Sequence, residues 1–141
     1  GRAMMAAFAL GAEAVQIGSL FATSEESSAH LNFKNKVTNL TEGDTHLTLK
    51  KLAPVRMVKN QFYEKIREAE ERGATAEELK NLLGKGRSKK GIFEGDLDEG
   101  ELEIGQIASS IKKIKPAGEI VKDVWNEFLT LKNEIKSWDC K

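Results

Sequence analysis

The sequence predicts an α/β chain in which one helix and strand at the front are followed by a mostly helical tail. Three observations predict it. The stretch "RAMMAAFALG", Arg2 to Gly11, is built of Ala, Met and Leu, strong helix formers, and closes on a glycine where a C-cap belongs, so it reads as a helix buried on most sides. Next, "AEAVQIGSLF" holds Val15 and Ile17 in a short run ended by turn-prone Gly18, the pattern of a strand covered on both faces. From Ser24 onward apolar residues recur at helical spacing between glycines and prolines.

The tail divides as follows. Ser24 with Glu25 and Glu26 behind it predicts a capped helix to about Leu40, with Ala29, Phe33, Val37 and Leu40 on its apolar face. "THLTLKKLAPVRMVKN" alternates loosely through Leu47 and Leu49 and predicts an irregular connection, because the residue before Pro54 is biased away from helix. A helix is then expected over Val55 to Arg72, burying Val55, Val58, Phe62, Ile66 and Ala69 and stopped by Gly73. Thr75 with Glu78 three residues on forms a capping box for a shorter helix that stops by Gly84. "GKGRSKKGIFEGDLDEG", with five glycines among many charges, predicts a loop. Glu101 to Ile114 predicts a helix despite Gly105, broken by Pro116. The last helix, Ala117 to Trp138, carries Ile120, Val121, Val124, Trp125, Phe128, Leu131 and Ile135 as its apolar stripe. Core or barrel packing is the simplest use of that stripe; a homodimer surface is the minority reading.

Composition narrows the function. The 141 residues suffice for one core, and 22 basic residues balance 22 acidic ones. A chain of zero net charge has no global field for nucleic acid or an anionic membrane surface, and its apolar runs are too short to span a bilayer. The single cysteine, Cys140, can make neither an internal disulfide nor a multi-cysteine metal site, and a cytoplasmic location is expected. A lone strand leaves its backbone N–H and C=O groups unpaired. The strand at Val15 to Ile17 therefore implies a sheet the chain does not contain, and the opening "GRAMM" reads as the interior of a longer chain.

Gly18 and Ser19 suggest chemistry. In barrels of alternating strands and helices, phosphates lodge after the last strands against the N-terminus of a short helix. Gly18 allows close approach, the amides of Gly18 and Ser19 and the Ser19 hydroxyl can donate, and none of this needs a Lys or Arg. Taken alone, these residues fit an ordinary strand-to-helix turn at least as well.

The wider chain adds a resemblance. "GRAMMAAFALGAEAVQIGSLFATSEESSAH" resembles the C-terminal end of the barrel in the nitronate monooxygenase (2-nitropropane dioxygenase-like) family and its relative, enoyl-acyl-carrier-protein reductase II. The likeness continues through "VRMVKNQF" and "EGD…G…GQIASSI", covering nearly the whole chain. It implies the C-terminal part of an FMN-binding (β/α)8 TIM barrel, residues 1–23, followed by a mostly helical extension, residues 24–141, packed on it. It also implies an FMN-contacting segment of Gln16, Ile17, Gly18 and Ser19, with Gly18 and Ser19 at the phosphate. Ser19 stands where Thr is usual and keeps the hydroxyl; Leu20 departs from the family pattern. No catalytic residue is assigned, since the family's histidine near the flavin falls outside this chain, and the fragment alone is expected to be inactive.

The activity implied first is oxidative denitrification of alkyl nitronates with O2. The alternative is NAD(P)H-dependent reduction of an enoyl thioester through FMN, and a third reading is a helical interaction module without cofactor. The small-molecule substrate is accordingly a nitronate or an enoyl thioester. His30 and His46 are expected to be structural, and two isolated histidines with one cysteine make a poor metal site. "RSKK", Arg87 to Lys90, is expected to be a solvated loop, its charge cancelled by the acids from Glu94 to Glu99. Gly105 is expected to mark close packing, and the Gln106 amide is a weaker candidate for the substrate side of the flavin.

Overall fold

A computed structural model describes residues 1–138. Cys140 lies outside the described residues. The elements run α1 (Arg2–Ala9), α2 (Ser19–Ala22), α3 (Leu31–Thr38), β1 (Thr45–Thr48), β2 (Val55–Val58), α4 (Gln61–Glu71), α5 (Ala76–Leu83), a π-helical turn (Lys89–Phe93), a 3-10 turn (Gln106–Ser110) and α6 (Ala117–Lys136).

The expected irregular connection is instead an antiparallel hairpin. β1 and β2 pair in the register Thr45 to Val58, His46 to Met57, Leu47 to Arg56 and Thr48 to Val55. Val55 and Val58 therefore lie on a strand, and the helix expected from Val55 starts only at Gln61, where the Asn60 side chain accepts from the Tyr63 amide at 2.9 Å. The other edge of β2 takes up residues 102–104: the Val58 amide donates to the Leu102 carbonyl at 3.0 Å and the Ile104 amide to the Arg56 carbonyl at 3.1 Å. That pairing is why Glu101 to Ile114 does not become a helix. An extended stretch and a 3-10 turn replace it, since a backbone group already bonded across a strand cannot also bond along a helix.

Ser24 does not start α3 either. His30 does, its Nδ1 accepting from the Asn32 amide at 3.1 Å. The acids read as a first helical turn are used at long range: the Glu26 carboxylate accepts from the Ala117 amide at 2.8 Å, at the first residue of α6. Buried Lys34 donates to the carbonyls of Glu25 at 3.1 Å and Ser27 at 2.8 Å, fixing the turn between. The capping box at Thr75 and Glu78 forms as expected, with Gly73 at φ 85° just past α4 and Gly11 at φ 96° past α1.

Two apolar cores lie between residues 20 and 111. One joins Phe33, Val37 and Leu40 to Val58, Leu102 and Ala108; the other joins Leu49 and Met57 to Phe62, Ile66 and Leu79. The glycine-rich loop is packed, not solvated. A Cβ on Gly100 would strike the Gly91 backbone, and one on Gly91 would sit 2.7 Å from the Glu101 carbonyl oxygen. Asn60 holds the loop through Nδ2, which donates to the carbonyls of Leu97 at 2.9 Å and Gly100 at 2.8 Å.

α1 and α6 pack on each other, with the Phe8 ring edge-on to Phe128 at 5.5 Å and Trp125 stacked on Phe128 at 5.3 Å. Contrary to expectation, α1 buries none of its residues. In the α6 stripe Ile120, Phe128 and Leu131 are buried, whereas Val121, Trp125 and Ile135 are exposed. No strand forms at Val15 to Ile17. That segment takes no regular secondary structure and pairs with no strand among the described residues, so the front unit is a helix and an irregular segment. Among the described residues no helix is long and apolar enough to cross a membrane.

Candidate functional site

Gln16 to Ser19 form the junction between the irregular segment after α1 and α2. Gln16 and Gly18 are exposed, while Ile17 and Ser19 are half-buried. Gly18 is the N-cap of α2, with φ −93° and ψ −70°, and no side chain caps the helix. Its carbonyl accepts from the Ala22 amide at 2.9 Å, but the amides of Gly18, Ser19, Leu20 and Phe21 have no acceptor among the described residues. Unfilled first-turn amides are a helix's available donors. A Cβ on Gly18 would meet nothing, so packing within this chain does not demand glycine there.

The Ser19 hydroxyl is held by a distant element. Its Oγ accepts from the Gly105 amide at 3.0 Å, which leaves its own proton to donate elsewhere. A Cβ on Gly105 would lie 2.7 Å from that oxygen, so Gly105 does mark a close approach, as its place in the sequence suggested. Buried Thr23 donates to the carbonyls of Ser19 at 3.2 Å and Leu20 at 3.0 Å, tightening the short helix. Ile17 turns instead toward an apolar groove of about 180 Å³ shared with Val15, Phe21, Val121 and Trp125.

The two histidines have structural roles. His30 caps α3 and packs against Gly95, and His46 lies on β1 with its ring 5.9 Å from that of Tyr63. "RSKK" is neutralised pair by pair: Arg87 meets Glu99 at 3.2 Å, Lys89 meets Glu94 at 3.3 Å and Lys90 meets Asp96 at 2.9 Å. The Glu99 amide, then Lys90, hold the Asp96 carboxyl down at about 2. Gln106 is exposed at the start of the 3-10 turn.

Two features were not singled out from the sequence. Lys112, Lys113 and Lys115 gather beside Leu20 in a groove of about 380 Å³. Lys115 is bound at 2.6 Å to both Glu119 and Asp123, which raise its pKa, while exposed Lys113 has no ion-pair partner among the described residues. The run "IKKIK" carried that signal. The second feature is a cavity of about 400 Å³ between the hairpin and the 3-10 turn, lined by Arg56, Thr45 and Gln106. It assembles across the hairpin, so no local pattern announces it.

Comparison with known proteins decides the family. The family model described as "Nitronate monooxygenase" matches residues 1–127. The chain belongs to the nitronate monooxygenase family. Its similarity to a probable nitronate monooxygenase of Bacillus subtilis is 35% identity over 106 residues, 74% of this chain and 30% of that protein. A probable nitronate monooxygenase of Staphylococcus aureus is 31% identical over 132 residues, 91% of this chain and 36% of the relative. Among solved structures, FabK from Thermotoga maritima superimposes with a TM-score of 0.89 at 37% identity, covering 99% of this chain and 44% of that one. Nitroalkane oxidase from Streptomyces ansochromogenes gives 0.72 at 26% identity, covering 94% and 37%. The chain thus spans about a third of the length of these curated relatives, and less than half of the solved structures. This nitronate monooxygenase family is one of flavin-dependent oxidoreductases. Among the described residues the chain is a mixed helix and sheet portion in which no barrel closes.

Proposed function

We propose that this chain is the C-terminal portion of an FMN-dependent oxidoreductase of the (β/α)8 type, in which Gln16, Ile17, Gly18 and Ser19 border the flavin. The four unfilled amides at the start of α2, beside a glycine that packing does not require, carry this reading. They fit a dianionic phosphate: backbone donors converge on it, the free proton of the Ser19 hydroxyl adds another, and the short helix contributes its positive end. Gly105 orients Ser19 by occupying one lone pair of its Oγ. A bound flavin supplies the redox chemistry, and the residues here hold and orient it. The division of the chain is proposed with one change. Since α6 returns to α1 and to the groove at Val15 and Ile17, it is read with residues 1–23 as part of the barrel, and residues 24–116 as an insertion.

The activity that fits first is oxidation of alkyl nitronates with O2, as the curated relatives' names suggest. A second reading, NAD(P)H-dependent enoyl-acyl-carrier-protein reduction, is favoured by the closer superposition on FabK, 0.89 against 0.72 for nitroalkane oxidase. Purification of the full-length protein tests both. It should be yellow and release FMN on denaturation; turnover of a nitronate with O2, or of NADH with an enoyl thioester, then chooses the chemistry. Ser19→Ala should weaken FMN retention about tenfold, the value of one hydrogen bond to a charged group. A colourless protein that cannot be reconstituted with FMN would leave the interaction-module reading standing.

A further inference from the structure

The cavity between the hairpin and the 3-10 turn holds an arginine whose guanidinium is only partly bonded within the chain. Arg56 lies on β2 and is half-buried, and among the described residues no ion pair includes it. Nη1 donates to the Thr45 carbonyl at 3.0 Å and to its hydroxyl at 3.3 Å, which sets the guanidinium plane. Nε and Nη2 have no acceptor among the described residues. The same cavity of about 400 Å³ is lined by Gln106 and Ser109, an amide and a hydroxyl, and by Glu42, whose carboxylate is not paired with the arginine. Exposed Ile107 forms an apolar wall.

We propose that Arg56, with Gln106 and Ser109, forms a second phosphate subsite, separate from the amides of α2. A planar fork with free donors, flanked by an amide and a hydroxyl, suits a group with several anionic oxygens, and the volume suits a small ligand. The backbone places this subsite next to the flavin segment: Gly105, which binds Ser19 Oγ, is followed at once by Gln106. That proximity rests on the flavin reading above. The subsite would therefore receive a phosphate of the second reactant, such as a dinucleotide or a phosphorylated thioester carrier.

The test is calorimetric titration of the full-length protein, saturated with FMN so that the α2 amides are occupied, using inorganic phosphate and then NADPH and NADH. Phosphate should still bind, and Arg56→Gln should weaken it about tenfold or more, with FMN content and melting temperature unchanged. Gln106→Ala, an exposed change, should weaken it about threefold and decides the matter if the arginine variant fails to fold. Arg56-dependent preference for NADPH over NADH would assign the subsite to a dinucleotide 2′-phosphate; Arg56-dependent phosphate binding without that preference would assign a different phosphorylated ligand. Absence of phosphate binding overturns the proposal, as does binding unaltered in both variants, or FMN lost together with phosphate in a folded Arg56→Gln protein. Should the protein hold no FMN yet bind phosphate through Arg56, the flavin reading fails and the subsite stands.

Discussion

Residues 24–116 and the two flanks that enclose them are built differently. Residues 24–116 hold most of the buried contacts: buried Lys34 is capped by two carbonyls, Asn60 ties helix to loop, and Phe62, Ile66 and Leu79 are sealed in a core. The flanks leave surface open. Leu10 is 90% exposed, Val121 57% and Trp125 48%, while the Val15 to Ile17 segment has backbone with no strand beside it. Exposed Val15, Val121 and Trp125 share one apolar groove, a face suited to be covered. If residues 24–116 are an insertion, as proposed above, they are expected to hold their shape better than the flanks, to which they are tied by Ser19 with Gly105 and by Glu26 with Ala117.

The contrast is most exposed to disproof at Phe62, which is fully buried with the Arg87 guanidinium 4.7 Å above its ring. Phe62→Ala should cost about 4 kcal/mol in urea unfolding of the full-length protein, as large-to-small aromatic changes in cores do. A cost below about 1 kcal/mol would show that the inserted region has no core of its own. Asn60→Ala removes a helix cap and two loop anchors together, and should cost about 2 kcal/mol while raising amide exchange through residues 94–100.

Third in size is Glu101, whose buried carboxyl has its pKa raised first by burial and then by the neighbouring Glu103, against the Ser88 hydroxyl that donates to it at 2.7 Å. Below the ordinary value of 4.5 both folded and unfolded forms are protonated; above it the unfolded chain ionises first, so stability falls as pH rises toward the folded pKa. Glu101→Gln should flatten that fall and raise stability at pH 7, read as a higher melting temperature there but not at pH 4. Asp96 has the opposite sign, because its carboxyl is held down at about 2: its contribution is complete above 3.8 and lost as pH falls toward 2. The smallest effect is expected from Trp125→Ala in the 141-residue chain, under about 1 kcal/mol because the ring is half in solvent, and more in the full-length protein where the groove is covered. Equal costs in the two lengths would end the distinction between flank and insertion. A sharp cooperative melt of the 141-residue chain, spanning both regions at once, would end it too.

Some of this was legible locally. The capping box of Thr75 and Glu78, the glycines after α1 and α4, and the faces carrying Phe33, Val37, Phe62 and Ile66 involve residues within a turn or two, so the sequence carries them openly. The likeness to the nitronate monooxygenase family was also readable from ordered motifs, and the family match over residues 1–127 agrees with it. Less legible was the stretch from Thr45 to Asn60. Val55 and Val58 fit the face of a helix as well as alternate positions of a strand, and only pairing with β1 selects the strand. Glu26 looked like a first-turn acid, yet its partner is an amide 91 residues away.

The sequence by itself determined the Thr75 capping box, the apolar faces of Phe33 and Val37 and of Phe62 and Ile66, the charge balance and the family, because each is written in neighbouring residues or in ordered motifs. Tertiary structure alone decided that the hairpin forms, that residues 102–104 join its edge in place of a helix, and that Ser19 meets Gly105 and Arg56 shares a cavity with Gln106. Those outcomes depend on backbone partners far apart in the chain. A strand has no hydrogen-bonding partner within itself, so its fate cannot be local.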